Sequence, residues 1–569
     1  MARLRSVPCG AGAVKDRTGP SVSPDDPIEV EATELPAPPP VAGAKRAVAR
    51  AAAVVGAATL ASRILGFARD LVIARVFGAG VGTDAFFVAF RLPNLLRRLV
   101  AEGALSSAFI PVFTEYATTR PRAETRRMLR AVTGLMVLIL GAVTVGGILA
   151  APWLLRLMAP GFFANPAVGE LTVRLSRLMF PYLFLVGMAA VAMGVLNAHR
   201  HFLLPALSPV SLNLGMLTGA LLIAPHLPEP LTGLALGVLL GGVGQLLMQL
   251  PAIGARGLLA PPSLALRHPA VRRVLTLMTP VVVGQSAGHI GTVINTIIAS
   301  FLAAGSVSYL YYADRLVEFP LGVFGVAIAT AVLPTLSEQS ARRDKRALRE
   351  TLSFALRLTA FVSLPAAVGL YILCEPIVRV LYERGRFGPV ETAGTAAAVA
   401  MYALGIVGLT ATKVAVQAFF ALGDTRTPVK VSIGAMAVNC AVAATLAAPL
   451  GHVGLAVATS VSATANALTL TILLRRRLPG PPVAGARRAW LRTVFVSAGL
   501  ALGLWTVSGL WPPPAGRLGE TLWLATVVIG ATLAYVGCHA ALGAEEVRLA
   551  WGALVRRARR SSLRRRETR

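Results

Sequence analysis

Ionisable side chains recur through one apolar stretch, Ser62–Glu115, among them Arg63, Arg69, Asp70, Asp84, Arg91, Arg97, Arg98 and Glu102. A charge near a bilayer centre costs ~2.5–3.5 kcal/mol on insertion scales, so such residues face a protein interior or a wet cavity. Arginine presents a planar fork of donors shaped for phosphate. The excess of arginine therefore points to a polar cavity for an anionic, phosphorylated substrate. Arg63, Gly66 and Asp70 share a helix face. Arg69 falls off that face unless the helix breaks near Gly66. Asp84, Arg91 and Arg98 recur every seven residues, with Asn94 and Glu102 extending the same side. Pro93 predicts a kink. Arg97 points ~100° from Arg98 in a regular helix, so one of the pair is expected to face the cavity and the other to snorkel.

A second group holds Ser308, Tyr311, Asp314, Arg315 and Glu318. Glu318 lies four residues from Asp314 and three from Arg315, the spacing of intrahelical pairs. That fits a substrate-facing cluster or a self-neutralising structural one. Lys413 stands alone in an apolar run, either as a cavity cation or as the partner of a buried carboxylate. Gly233, Gly237 and Gly241 have the spacing of close helix packing. No phosphate-loop motif, no His/Cys metal spacing and no nucleophile motif is present. ATP hydrolysis, a metal, a cofactor and covalent catalysis are not expected.

These groups need elements to hold them. The chain has 569 residues, 55% hydrophobic and 14% charged, against about 25% charged in a soluble domain. Its apolar residues come in runs of roughly 20, the length that spans ~30 Å of hydrocarbon. About fourteen transmembrane helices are expected, at 48–77, 83–117, 126–157, 168–199, 203–224, 231–255, 273–303, 306–340, 348–373, 390–421, 427–449, 452–474, 489–510 and 519–541. Short amphipathic pieces are expected near His268–Arg273, Glu375–Tyr382 and Glu545–Arg557. The fold class is an all-α polytopic membrane protein.

The net charge of +29 would suggest nucleic acid in a soluble protein. Here it concentrates in the loops after even-numbered helices and in the tails, as in Arg120–Arg127, Arg342–Arg346, Arg475–Arg477 and Arg556–Arg569. Positive loops stay inside, which predicts cytoplasmic termini and no nucleic-acid partner. Cys9, Cys374, Cys440 and Cys538 are far apart without metal spacing; two lie in apolar runs, and they read as buried small hydrophobes.

An internal repeat is visible. Ala89–Leu92 (AFRL) recurs as Ala313–Leu316 (ADRL), 224 residues on, and Ala108–Glu115 (AFIPVFTE) as Ala331–Glu338 (AVLPTLSE), 223 on. Helices one to six thus match seven to twelve in the same orientation, and such halves enclose a substrate site between them. The expected division is a disordered tail at 1–45, a first lobe at 46–257, a second at 258–477, two further helices at 478–545 and a basic tail at 546–569.

The segments RILGFARD from Arg63, FGAGVGTDAFFVAF from Phe77, LPNLLRR from Leu92, AEGA from Ala101, YYADRLVEFP from Tyr311 and TPVK from Thr427 closely resemble the MurJ (MviN) family of lipid II flippases. The likeness covers the chain beyond its N-terminal tail. It implies the multidrug/oligosaccharidyl-lipid/polysaccharide exporter fold, with two six-helix lobes around a cavity and two C-terminal helices forming a groove for a polyprenyl tail. It implies Arg63, Arg69, Arg97 and Arg315 as cavity arginines, with Asn94, Ser308 and Lys413 as further substrate contacts. It implies Asp70, Asp84, Glu102, Asp314 and Glu318 as gating or cavity acids. The implied activity is transfer of undecaprenyl-pyrophosphate-linked peptidoglycan precursor between leaflets of the bacterial inner membrane, without chemistry. Membrane lipids and other cell-wall synthesis proteins are the implied partners. Some relatives resemble sodium-coupled carriers with acids in helices seven and eleven. Helix seven here offers only Gln285, His289 and Asn295, which makes membrane potential the candidate driver. The alternatives are a sibling exporter of drugs or other lipid-linked sugars, or a membrane enzyme acting on polyprenyl phosphates. A drug exporter would favour acidic cavity residues for cationic substrates, and the enzyme would need a catalytic set that is not found.

Overall fold

The computed structural model describes residues 41–99, 105–259, 261–478, 480, 483, 485–514 and 516–548, and among these it is helical with no strand. The first half holds α1 (Val41–Phe77), α2 (Val81–Arg97), α3 (Ser106–Thr119), α4 (Arg122–Met158), α5 (Pro166–Met179), α6 (Pro181–Ala198), α7 (Leu203–Thr218), α8 (Pro230–Leu247) and α9 (Leu250–Gly254). The second holds α10 (Pro269–Ser300), α11 (Ser306–Pro320), α12 (Val326–Ala341), α13 (Lys345–Ile372), α14 (Cys374–Tyr382), α15 (Pro389–Ala421), α16 (Arg426–Leu450) and α17 (His452–Arg477). Two more, α18 (Ala486–Leu510) and α19 (Arg517–Ala541), follow.

Ten helices, some of them runs of two or more of these elements, are long and apolar enough to cross a membrane. The other expected crossings are α1, α2 with α3, α10, and α11 with α12. They are helical too, but they carry charges or interruptions, and α10 is apolar by this measure only over His289–Ser300.

The packing repeats with the sequence. In the first half α1 packs on α7, α2 on α5, α3 on α4 and α6, and α8 on α6 and α7. In the second, α10 packs on α16, α11 on α15, α12 on α13 and α15, and α17 on α15 and α16. Lipid tails are as apolar as leucine, so close packing holds such helices together rather than exclusion from water. Gly215 of α7 and Gly219 just after it meet Gly233, Gly237 and Gly241 of α8 so closely that a Cβ on Gly215 would lie 2.3 Å from the Gly241 nitrogen. The expected glycine packing is therefore present.

Several local expectations need correction. α1 runs unbroken through Gly66, which rests on the Asn213 side chain. α2 absorbs Pro93, and the chain widens into a π-turn at 98–99 instead. Further π-turns at Gly219–Ile223 and Leu321–Gly325 fall inside runs expected to be regular. His268 caps α10, so His268–Arg273 begins a long helix and is not a separate piece. The amphipathic α14 is where it was expected. α1 starts at Val41, ahead of the expected tail boundary. Glu102, residues 1–40 and residues 549–569 lie outside the described residues.

The cores give the shape. One core joins both halves, through Ile73, Phe86, Phe87, Tyr312, Tyr382 and Phe387, at the end whose loops are poor in Lys and Arg apart from the mixed-charge segment Glu375–Arg386. At the basic-loop end the cores are separate. One holds Phe109, Phe113, Met128 and Val274, and the other holds Leu336, Leu352, Phe419 and Leu470. The halves thus close at the charge-poor end and part toward the basic loops. The start of α10 packs with α3 and α4, so this helix spans both halves.

Candidate cavity between the two halves

A cavity of about 1470 Å³ lies between the halves. Seven cationic side chains line it, Arg63, Arg69, Arg91, Arg97, Arg98, Arg315 and Lys413. Among the described residues three carboxylates do, Asp70, Asp314 and Glu318. The surplus of four positive charges makes it a site for an anion.

The centre is a cluster shared by both halves. Asp70, 1% exposed, accepts from Arg69 Nη2 at 2.7 Å and from Arg69 Nε at 3.0 Å. Arg315 Nε of α11 approaches the other Asp70 oxygen at 3.3 Å. The Tyr311 hydroxyl donates to Asp70 at 3.2 Å and accepts from Arg69 and Arg315 at 3.3 Å each. Phe87 stacks on the Tyr311 ring at 3.8 Å, and the Arg315 guanidinium lies over that ring at 4.8 Å. Glu318 takes Arg315 Nη1 at 2.7 Å. Asp70 thus carries one arginine from each half, and the Ser308–Glu318 group on α11 is partly self-paired and partly paired across the halves.

Arg69 reaches the cavity without a break at Gly66, because it turns onto its chain neighbour Asp70. Arg63 is exposed to the cavity, with its guanidinium against Gly322 of the other half. Arg97 and Arg98 both line the cavity, which corrects the expectation that one of them snorkels. Arg98 keeps α-helical dihedrals, φ −62° and ψ −40°, so the two side chains leave the helix ~100° apart and both still reach the wall. Asn94 accepts from Arg97 Nε at 3.0 Å. Arg91 bonds Thr296 of α10, another contact across the halves.

Asp84 and Ser308 differ from expectation. Neither lines the cavity. Asp84 is buried and accepts from the backbone N–H groups of Gly305 and Ser308 at 2.7 and 2.8 Å, and from the Ser308 hydroxyl at 2.5 Å. A first-half carboxylate therefore fills the free donors at the start of α11, where the helix dipole favours negative charge. Tyr312 adds a bond to the Gly78 carbonyl at 3.2 Å, and the Arg386 N–H one to the Arg75 carbonyl at 2.9 Å. These contacts fasten the charge-poor end.

The cavity continues as an apolar groove. Phe361 and Pro365 of α13, Leu500 and Leu504 of α18, and Val528 and Val536 of α19 line this extension. Asn213 and Gln245, also on the cavity wall, were not singled out in the sequence. A lone amide in an apolar helix was the available signal.

The family model of "Lipid II flippase MurJ" matches residues 73–524. A lipid II flippase MurJ of Burkholderia cenocepacia is 39% identical over 459 residues, covering 80% of this chain and 88% of its own. A probable lipid II flippase MurJ of Bdellovibrio bacteriovorus is 36% identical over 505 residues, covering 88% and 96%. A solved lipid II flippase MurJ in an inward closed conformation superposes with a TM-score of 0.73 at 25% identity, covering 86% of this chain and 98% of that one. An inward-facing MATE-family multidrug transporter of the MOP superfamily shares the fold, with a TM-score of 0.60 at 16% identity and covering 75% of this chain and 98% of that one. With its charged cavity, its paired halves and its two added helices, the chain belongs to the MurJ family of lipid II flippases.

Proposed function

We propose that this protein moves lipid II, the undecaprenyl-pyrophosphate-linked peptidoglycan precursor, from the inner to the outer leaflet of the bacterial cytoplasmic membrane. One observation carries this reading: a cavity with four surplus positive charges runs without a wall into an apolar groove. A substrate with a pyrophosphate at the junction of a polar head and a long hydrocarbon tail matches that join. Arg63, Arg97, Arg98 and Arg315 meet the phosphates, Asn94 and Lys413 the head group, and α13, α18 and α19 the tail. The excess of cations argues against a drug exporter, whose cationic substrates would need acids.

Both termini face the cytoplasm in this reading, so the parted, basic-loop end opens inward and the fastened end faces outward. Residues 46–257 and 258–477 act as lobes that rock about the cavity, and 478–545 carries the groove. Asp70 between Arg69 and Arg315, and Asp84 on Ser308, are contacts that must part when the outer end opens. Substrate phosphate competes for Arg315 and so weakens one of them.

The test is complementation of a strain depleted of its own flippase, read as inner-leaflet accumulation of lipid-linked precursor. Expression of this chain clears the accumulation. Arg63→Ala and Arg97→Ala reach the membrane but fail to clear it, and Lys at either site restores part, since it lacks the bidentate fork. Full clearance by both Ala variants would sink the phosphate role.

A further inference from the structure

Arg69 has five N–H donors, and the protein occupies all of them. Nε and one Nη2 hydrogen bond Asp70, and the second Nη2 hydrogen reaches the Tyr311 hydroxyl. Nη1 donates to Asn213 Oδ1 at 2.9 Å and to Met216 Sδ at 3.6 Å. Nothing remains on this guanidinium for a phosphate. By contrast, Arg63 is exposed on the cavity wall.

The Asn213 carboxamide is itself oriented. Its Nδ2 donates to the Ser62 carbonyl of α1 at 3.1 Å, and its flat face lies on Gly66, where a Cβ would come 3.5 Å from Nδ2. Asn213 is 5% exposed. The helix beneath it is held firmly, because Gly215 and Gly219 press α7 onto the α8 backbone. A rigid helix thus aims one amide oxygen at one arginine edge.

We infer that Asn213 is a positioning residue: it holds the Arg69 fork on Asp70 and withholds it from the substrate's phosphates. This rests on the phosphate-binding reading of the cavity. Arg69 then neutralises Asp70, and the anion is left to the other cavity arginines. An anion gripped also by Arg69 would bind more tightly and leave more slowly. Transport favours a site weak enough to release its load.

The experiment measures binding of farnesyl diphosphate to the full chain in neutral-lipid nanodiscs, alongside the rate of precursor flipping. Asn213→Ala frees Nη1, and the diphosphate binds about tenfold more tightly while flipping slows. Asn213→Ser, whose hydroxyl is too short to reach Nη1, gives the same pair of changes and serves if the Ala variant does not fold. Asn213→Asp keeps an acceptor on Arg69 and adds a negative charge, so it does not tighten binding. Adding Arg69→Gln to Asn213→Ala abolishes the gain. A parent that binds no diphosphate overturns this inference together with the phosphate reading. Parent binding that is lost in Arg63→Gln but not tightened by Asn213→Ala or Asn213→Ser overturns the role of Asn213 alone.

Discussion

Asp70 and Arg315 come from opposite halves of the chain and meet 3.3 Å apart at the cavity centre, with Arg69 on the other side of the carboxylate. The pair gains Coulomb energy and loses hydration, so its net worth is modest. A modest term suffices, because ~1.4 kcal/mol changes a two-state ratio tenfold. Arg315→Gln removes this ion pair between the halves, leaving the Tyr311 hydroxyl on Asp70 and Asp70 neutralised by Arg69. Labelling of single cysteines from each side of the membrane should then shift toward opening of the charge-poor end, by up to about tenfold. Labelling identical to the parent would show that Arg315 binds substrate but does not gate.

Asp84 makes a stronger prediction. Its carboxylate serves two backbone N–H groups and one hydroxyl on α11. Hydrogen bonds to charged groups contribute about 1.5–3 kcal/mol each. Asp84→Ala strands Gly305 and Ser308 donors in a buried place, and the fastened end should open or unfold. Ser308→Ala removes only the hydroxyl bond, with an effect of about 1.5–3 kcal/mol, and leaves the two backbone bonds in place. A maleimide-reactive Ser306→Cys, buried in the closed state, reads both. The expected order of labelling is Asp84→Ala above Ser308→Ala above parent, and a Ser308→Ala effect as large as that of Asp84→Ala would contradict it.

The helices and the repeat were legible because they rest on run length and on recurring segments such as Ala89–Leu92 and Ala313–Leu316. The cavity cations were legible because charge in an apolar run is costly wherever it is not sheltered. What was not legible depends on departures from regular geometry. Arg97 and Arg98 both line the cavity wall where the chain enters the π-turn at 98–99, and no residue type marks such a turn. Ser308 shares a helix with Arg315, yet its partner is Asp84, 224 residues away. That contact exists only once the halves have met. Asn213 has the same local pattern whether its amide packs idly or holds an arginine.

The α7–α8 contact predicts intolerance at one glycine. A Cβ on Gly237 would lie 2.6 Å from the Gly215 carbonyl oxygen and 3.0 Å from backbone carbons of Met216 and Gly219. Those atoms belong to a helix and cannot rotate aside. Gly237→Leu should separate the two helices and abolish accumulation of folded protein, as monitored by detergent-solution size exclusion. Gly530→Leu is the control, since nothing lies within 4 Å of a Cβ there, and it should express as the parent does.

The last prediction concerns acid. Asp424 sits in the turn before α16, outside the apolar runs. It accepts from the Thr427 hydroxyl at 2.6 Å, from the Thr427 and Arg426 N–H groups at 2.9 and 3.0 Å, and pairs with Arg477 at 2.6 Å. The Thr427 hydrogen bonds, more than Arg477, hold its carboxyl down from 3.8 to about 2. A depressed folded value means that the stabilisation is complete above the unfolded value and is lost as pH falls through the folded one. The window is therefore about pH 4 to pH 2. Pulse-labelled amide exchange at Arg426 and Thr427 should be slow and level above pH 4, after correction for intrinsic rates. It should lose protection stepwise below that. Asp424→Asn keeps one acceptor oxygen but has no proton to gain, so its protection should be lower at neutral pH and flat across the window. A parent and an Asp424→Asn variant with the same pH profile would mean that Arg477 and Thr427 hold this corner without the carboxylate charge.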